Sequence, residues 1–262
     1  MGMSFKCVLC LVLILLLSFL SGCSKEAMTT ELKTDQAAIR PQSARFVTTT
    51  ISMGLGKLSI TGGATDLMNA VFTYNRPDWK PEVSYQVNGD RGELSVKQPS
   101  AREKTLTRNN RYEWDIKLND KMPMDLNLNI GVGEHTLKLG TLSLNSVDIK
   151  TAVGTCVIDF SGKPSVNSLN IEGGVGDTVL DLSGKWEKSL NATIRGGVGK
   201  INVAVPEKTG TRVEVETGIG KVNAAGMKKD GNAYINESYG KTKNTISIKI
   251  TAGTGDIELV TR

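Results

Sequence analysis

Residues 194–200 read Ile-Arg-Gly-Gly-Val-Gly-Lys (IRGGVGK), a run of glycines closing on a lysine in the manner of a phosphate-binding loop. A Walker A loop needs Gly-x-x-x-x-Gly-Lys followed by Ser or Thr, set between a strand and a helix. Counted back from Gly199-Lys200, the first glycine position holds Ile194, and the Ser/Thr position holds Ile201. The residues that follow, Ile201-Asn202-Val203-Ala204-Val205, alternate like a strand, so no helix N-terminus is available to hold phosphates. Nucleotide binding is set aside, and the glycines need another explanation.

The explanation is a repeat. Gly-X-Gly recurs at 54–56, 131–133, 174–176, 197–199, 218–220 and 253–255, with Ala152-Val153-Gly154 as a degenerate copy. The last glycines Gly133, Gly154, Gly176, Gly199 and Gly220 are 21, 22, 23 and 21 residues apart. A period in the low twenties suits one coil of a β-solenoid. Four positions before the middle residue stand Leu128, Ile149, Ile171, Ile194 and Val215, with Ile51 and Ile250 in the outlying copies. Six before stand Leu126, Val147, Leu169, Ala192 and Val213. Five after stand Leu137, Ile158, Leu180, Val203 and Ala224, joined by Ile60 and Leu259. Parallel stacking turns each set into an inward aliphatic ladder. Inward parity changes from even offsets before the motif to odd offsets after it, which requires a bend, and glycine supplies the backbone angles. Each Gly-X-Gly is read as a corner.

The spacing breaks twice. Between Gly56 and Gly133 there are 77 residues, room for about three coils without the glycine corner. Between Gly220 and Gly255 there are 35, one coil plus a polar excursion over 227–245 that is expected to project as a loop or hairpin. No segment shows a helical stripe, and the fold class expected is all-β: a single-stranded right-handed β-solenoid.

The N-terminus carries a different signal. Cys7 to Leu20 is an apolar run of 14 residues interrupted by one serine, too short to span a bilayer comfortably, and Leu20-Ser21-Gly22-Cys23 follows it. This resembles the bacterial lipobox, which implies cleavage before Cys23 and a diacylglyceryl thioether on it. The expected organisation is a signal peptide over 1–22, a lipidated polar tether over 23–44, an N-terminal β region over 45–125, and the glycine-cornered solenoid over 126–262. After processing only Cys156 remains a free thiol, so the mature chain can form no internal disulfide and no paired-cysteine zinc site. The formal charge of +5 is mild and scattered, which argues against a nucleic-acid partner.

With these residues in view, the chain resembles the bacterial toast-rack proteins. The likeness rests on Ala70-Val71-Phe72-Thr73-Tyr74, on Lys80-Pro81-Glu82-Val83-Ser84-Tyr85, on Gly92-Glu93-Leu94, on Trp114, and on Pro123 ahead of Leu126. The glycine-cornered half resembles the module shared with Lia-type regulators of the response to cell-wall-active antibiotics. The resemblance covers about 45–262, implies a solenoid outside a bacterial membrane, and supplies no catalytic residue.

Few chemical groups stand out. His135, three residues after the second corner, aligns with Cys156, but two soft ligands are too few for a metal, and a packed core histidine is expected. The residue after each corner is Glu134, Thr155, Asp177, Lys200 or Lys221, with Lys57 and Asp256 in the outlying copies. Lys200, Lys221 and Arg195 are the candidate contact for an anionic polymer such as teichoic acid. A polysaccharide lyase needs clustered acids for calcium beside a base, and no such loop is present in the sequence. Trp79, Trp114 and Trp186 are expected as core plugs rather than sugar platforms. The expected protein is a non-enzymatic, cofactor-free binding or structural module at the cell envelope, anchored by lipid on Cys23. Its expected partners are the membrane, a wall polymer or another envelope protein. The alternatives are an accessory of envelope-stress sensing and, third, a polysaccharide-active enzyme.

Overall fold

The structure is a computed structural model that describes residues 31–99 and 110–262. Leu20, Ser21, Gly22 and Cys23 therefore lie outside the described residues. Among the described residues, eighteen strands account for nearly all the regular structure, with one helical turn at Pro77–Trp79. The all-β expectation holds.

In chain order the strands are β1 (Lys33–Ile39), β2 (Phe46–Thr61), β3 (Met68–Tyr74), β4 (Glu82–Asn88), β5 (Arg91–Lys97) and β6 (Tyr112–Leu118). They continue as β7 (Met124–Lys138), β8 (Leu144–Asp159), β9 (Ser168–Val175), β10 (Thr178–Asp181), β11 (Leu190–Val198) and β12 (Ile201–Val205). The last six are β13 (Gly210–Ile219), β14 (Val222–Ala225), β15 (Lys228–Asp230), β16 (Ala233–Ile235), β17 (Thr245–Thr254) and β18 (Ile257–Thr261).

Strand β8 shows why the sequence makes a rung. Val147 and Ile149 point inward before the corner, Cys156 and Ile158 after it, and the parity changes across Ala152-Val153-Gly154. Parallel pairing repeats this rung in register, and the ladders form as expected. Ile51, Leu128, Ile149, Ile171, Ile194, Ile250 and Val215 make one file of neighbours. Ile60, Leu137, Ile158, Leu180, Val203, Leu259 and Ala224 make another. The glycines are required by how closely the rungs stack. At Gly176, φ is +130°, and a Cβ there would overlap the carbonyl oxygen of Gly154 in the rung beneath.

The order of the rungs departs from sequence order at both ends. β17–β18 lies between β11–β12 and β13–β14, paired in parallel with both. At the other end β2 lies between β7 and a rung assembled from β5 and β6. Stacking by sequence, as the repeat spacing alone suggests, would have placed β13 directly on β11.

The two interruptions are also not what spacing suggests. Residues 62–123 do not make three coils. They supply the β5–β6 rung and a cap of antiparallel strands, β4 on β5 and β3 on β6, which β1 joins from outside this segment by pairing with β3. Phe72, Tyr74, Trp79, Tyr112 and Trp114 fill this cap with tilted and edge-on ring contacts at 5.2–6.4 Å. Residues 33–39, expected within the tether, are strand β1 of that cap. The excursion after Gly220 does not project. β15 and β16 form a hairpin whose second strand lies antiparallel on β13 and covers that edge. Asn236 pins it from a buried position, donating to the carbonyls of Pro206 and Thr209 (2.8 Å each) and accepting from the Thr211 N–H (2.9 Å). The third tryptophan, Trp186, is buried and donates to the Leu182 carbonyl at 2.7 Å.

Candidate functional site

The corners present a surface whose outward side chains the core packing does not dictate. The glycine after the middle residue points its missing Cβ along the stack, so it must stay small. The middle residue itself points away from the core. In stacking order the middle residues are Leu55, Val132, Val153, Val175, Val198, Thr254 and Ile219, paired rung to rung. Six of the seven are aliphatic. Val132, Val153, Val175 and Val198 are 46–52% exposed, and Ile219 is 72% exposed. Seven rungs at about 4.8 Å make a straight ridge roughly 29 Å long. Composition alone did not single out this column, because Val and Ile are ordinary strand residues. The signal was the contrast with the charged columns on either side.

Those flanking columns hold the candidate anion-binding residues. The structure does not bring Lys200 and Lys221 together: insertion of β17–β18 puts Asp256 between them. The Asp256 carboxylate accepts the Lys221 N–H at 2.9 Å, and the Asp177 carboxylate accepts the Lys200 N–H at the same distance. At the cap end Lys57 pairs with Glu134 at 2.9 Å, each partner lowering the free energy of the other's charged form. On the other flank Glu172 lies between Lys150 (3.8 Å) and Arg195 (3.6 Å), and Lys249 meets Glu216 at 3.1 Å. Cations and anions are thus interspersed on both flanks, with ion pairs at Lys57–Glu134, Lys150–Glu172–Arg195 and Lys249–Glu216, while Asp177 and Asp256 bind the backbone N–H groups of Lys200 and Lys221.

His135 and Cys156 are neighbours in register, as the repeat alignment indicates, and both are buried. Neither ring nitrogen of His135 has a hydrogen-bond partner among the described residues. Burial pushes the imidazole pKa down to about 4, which Glu134 opposes only weakly, and pushes the Cys156 thiol up to about 12. Their column continues through Leu58 on one side and Thr178 on the other. No group of three or more His, Cys, Asp or Glu among the described residues is placed to hold a metal ion.

Comparison with known proteins accords with this architecture. Residues 28–166 match the family described as the N-terminal domain of toast_rack. Residues 162–259 match the C-terminal domain of LiaF, of the cell wall-active antibiotics response. The two matches meet in the loop between β8 and β9, which nonetheless pair in register from Ser146↔Ser168 to Val153↔Val175, so the stack is continuous across the junction. A candidate cell adhesion protein of Clostridium sporogenes is similar at 32% identity and a TM-score of 0.68, over 88% of this chain and 100% of that one. A candidate adhesin of Bacteroides fragilis aligns over 88% of this chain and 97% of that one, at 12% identity and a TM-score of 0.38. No curated protein matches the chain. With more than half of its length in the N-terminal match and the corner repeat running through both, the chain belongs to the toast-rack family.

Proposed function

We propose that the protein is a binding or structural module of the bacterial envelope, without catalytic activity of its own, tethered to the outer side of a membrane by a lipid on Cys23. The observation that carries the envelope assignment is the match of residues 162–259 to a domain of the cell wall-active antibiotics response. The likeness to a candidate adhesion protein over nearly the whole chain points the same way. The lipid reading rests on Leu20-Ser21-Gly22-Cys23 after a 14-residue apolar run.

A stack of rungs suits such a role physically. Its surface columns repeat at fixed spacing, so it presents lines of similar groups. An anionic wall polymer is not the partner favoured, because Arg195, Lys200 and Lys221 each stand beside an acidic group. A contact between surfaces is favoured instead.

The test is the mass of the N-terminal peptide of protein extracted from membranes. The expected result is a chain beginning at Cys23 with acyl groups added, and a Cys23→Ala chain that is not acylated. An unmodified Cys23 would refute the anchor. A second reading, an accessory of envelope-stress sensing, draws on the same LiaF match. It predicts that deleting the gene changes induction of the response to wall-active antibiotics, and unchanged induction would remove it.

A further inference from the structure

We infer that the corner ridge lies against the membrane surface, so that the stack rests along the bilayer on one edge instead of standing out from it on its tether. The inference rests on the lipid anchor at Cys23 and adds an orientation and a contact surface to it.

The first support is where the chain enters the fold. β1 begins at Lys33, which pairs with Tyr74, which pairs with Tyr112. Lys57 pairs with Glu113, so Tyr112 is level with Gly56, a corner glycine. The first strand thus starts at the corner edge of the cap, three strands or about 14 Å from the ridge end at Leu55. Leu32, one residue earlier, is itself 47% exposed. Only residues 24–31 separate Cys23 from Leu32, a span of at most about 29 Å when fully extended and roughly 16 Å as a flexible coil. A lipid on Cys23 therefore holds the corner edge near the headgroups, whichever way the stack then lies.

The second support is the shape and chemistry of the ridge. It is one residue wide, bordered by glycine on both sides at every rung except that of Val153, where Ala152 precedes it. A strip about 29 Å by 10 Å offers about 300 Å², well below the 800 Å² per partner of a standard protein interface. A second copy of the chain, or any rigid partner, would need a matching groove to gain more. A bilayer deforms around a ridge and needs no groove. The column also stays aliphatic from Val132 to Val198, although its exposure leaves it free to be polar. Because Lys57, Lys150 and Arg195 on the flanks each face a glutamate, the contact is carried by the aliphatic ridge and requires no anionic lipid.

The test uses the acylated protein purified from membranes and returned to phosphatidylcholine vesicles, with and without phosphatidylglycerol. Single nitroxide labels are placed at Val153→Cys and Val198→Cys on the ridge, and at Lys188→Cys in the exposed loop at the opposite end of the rungs. Cys156 is buried and does not compete for the label. Relaxation by oxygen, which concentrates in the bilayer, is compared with relaxation by a water-soluble nickel chelate. The expected result is a several-fold preference for oxygen at both ridge labels and the reverse at 188, the same in both lipid mixtures. Ridge labels as open to nickel as position 188, on protein that is acylated and vesicle-bound, would overturn the ridge contact while leaving the anchor intact. Dipolar broadening between ridge labels of different molecules would overturn it in favour of a second copy. Absence of acyl mass at Cys23 would remove the anchor, and the orientation argued from it would fall too.

Discussion

Replacing three glycines separates the two reasons for which the corners need them. At Gly131 the backbone is not in the left-handed region, but a Cβ would overlap the carbonyl oxygen of Gly54. At Gly231 the opposite holds: φ is +60° and nothing lies within 4 Å of the Cβ position. At Gly176 both apply. Gly231→Ala therefore reports backbone strain alone, about 1–2 kcal/mol. Gly131→Ala reports the overlap. Restoring ordinary contact means parting two rungs by more than about 1 Å, which breaks one or two cross-rung hydrogen bonds at about 1 kcal/mol each and loosens the ladder behind them, about 2–3 kcal/mol in all. Gly176→Ala carries both, about 3–5 kcal/mol, a large part of the 5–15 kcal/mol typical of a folded domain. Among the bonds at risk there is Cys156 N–H to the Asp177 carbonyl, 3.0 Å. Equilibrium urea unfolding gives the three values, with the exposed Val175→Ala as a reference expected within about 0.5 kcal/mol of wild type. If Gly131→Ala costs no more than Gly231→Ala, the rungs are soft enough to part freely, and close stacking is not why the corners are glycine.

Three further outcomes follow from buried or capped groups. His135→Leu should stabilise the protein more at pH 5 than at pH 8, by about 1–2 kcal/mol after allowing for partial screening. Below pH 6.5 the unfolded chain takes up a proton that the folded chain refuses until about pH 4, so His135 lowers stability in that window and not above it; equal gains at both pH values would contradict this. The Cys156 thiol, buried and held near pKa 12, should resist aromatic disulfide reagents at pH 8 until the chain unfolds, and prompt labelling under native conditions would show the column to be open. Asp256→Ala should cost about 1 kcal/mol by leaving the Lys221 N–H without its acceptor, whereas Asp256→Asn, which keeps a carbonyl oxygen, should recover most of it in the same unfolding assay.

The ladders were legible because the corner glycines fix the frame: once Gly133, Gly154 and Gly176 are aligned, the inward positions fall into columns without further information. The order of the rungs was not. Ile194, Ile250 and Val215 are interchangeable in size and shape, so nothing local says that β17 takes the middle place. In the structure the hairpin β15–β16 lies on one edge of β13, and β17 takes the place between the other edge and β11. Strand β1 was missed for a related reason. Its residues, Lys-Thr-Asp-Gln-Ala-Ala-Ile, are mostly exposed on an edge and lack the alternation that a buried face imposes. Residues 62–123 were misjudged because length constrains the number of strands but not whether they pair parallel or antiparallel. At the candidate site, Arg195, Lys200 and Lys221 are exposed, and the separation of Lys200 from Lys221 depends on that same rung order.

The position of β17–β18 has a consequence for how the molecule comes into being. A solenoid that stacks in sequence order can consolidate progressively as synthesis proceeds, each rung completing the one before. Here β13–β14 emerges with no adjacent rung to join, since the rung that links it to β11–β12 spans residues 245–261 and is made after both. Asn191 must find Ser247, 56 residues downstream, before that end can close. The stack therefore stays open at this point until residues 245–261 are available, and loss of those residues to a protease would bare the facing edges of β11–β12 and β13–β14 together.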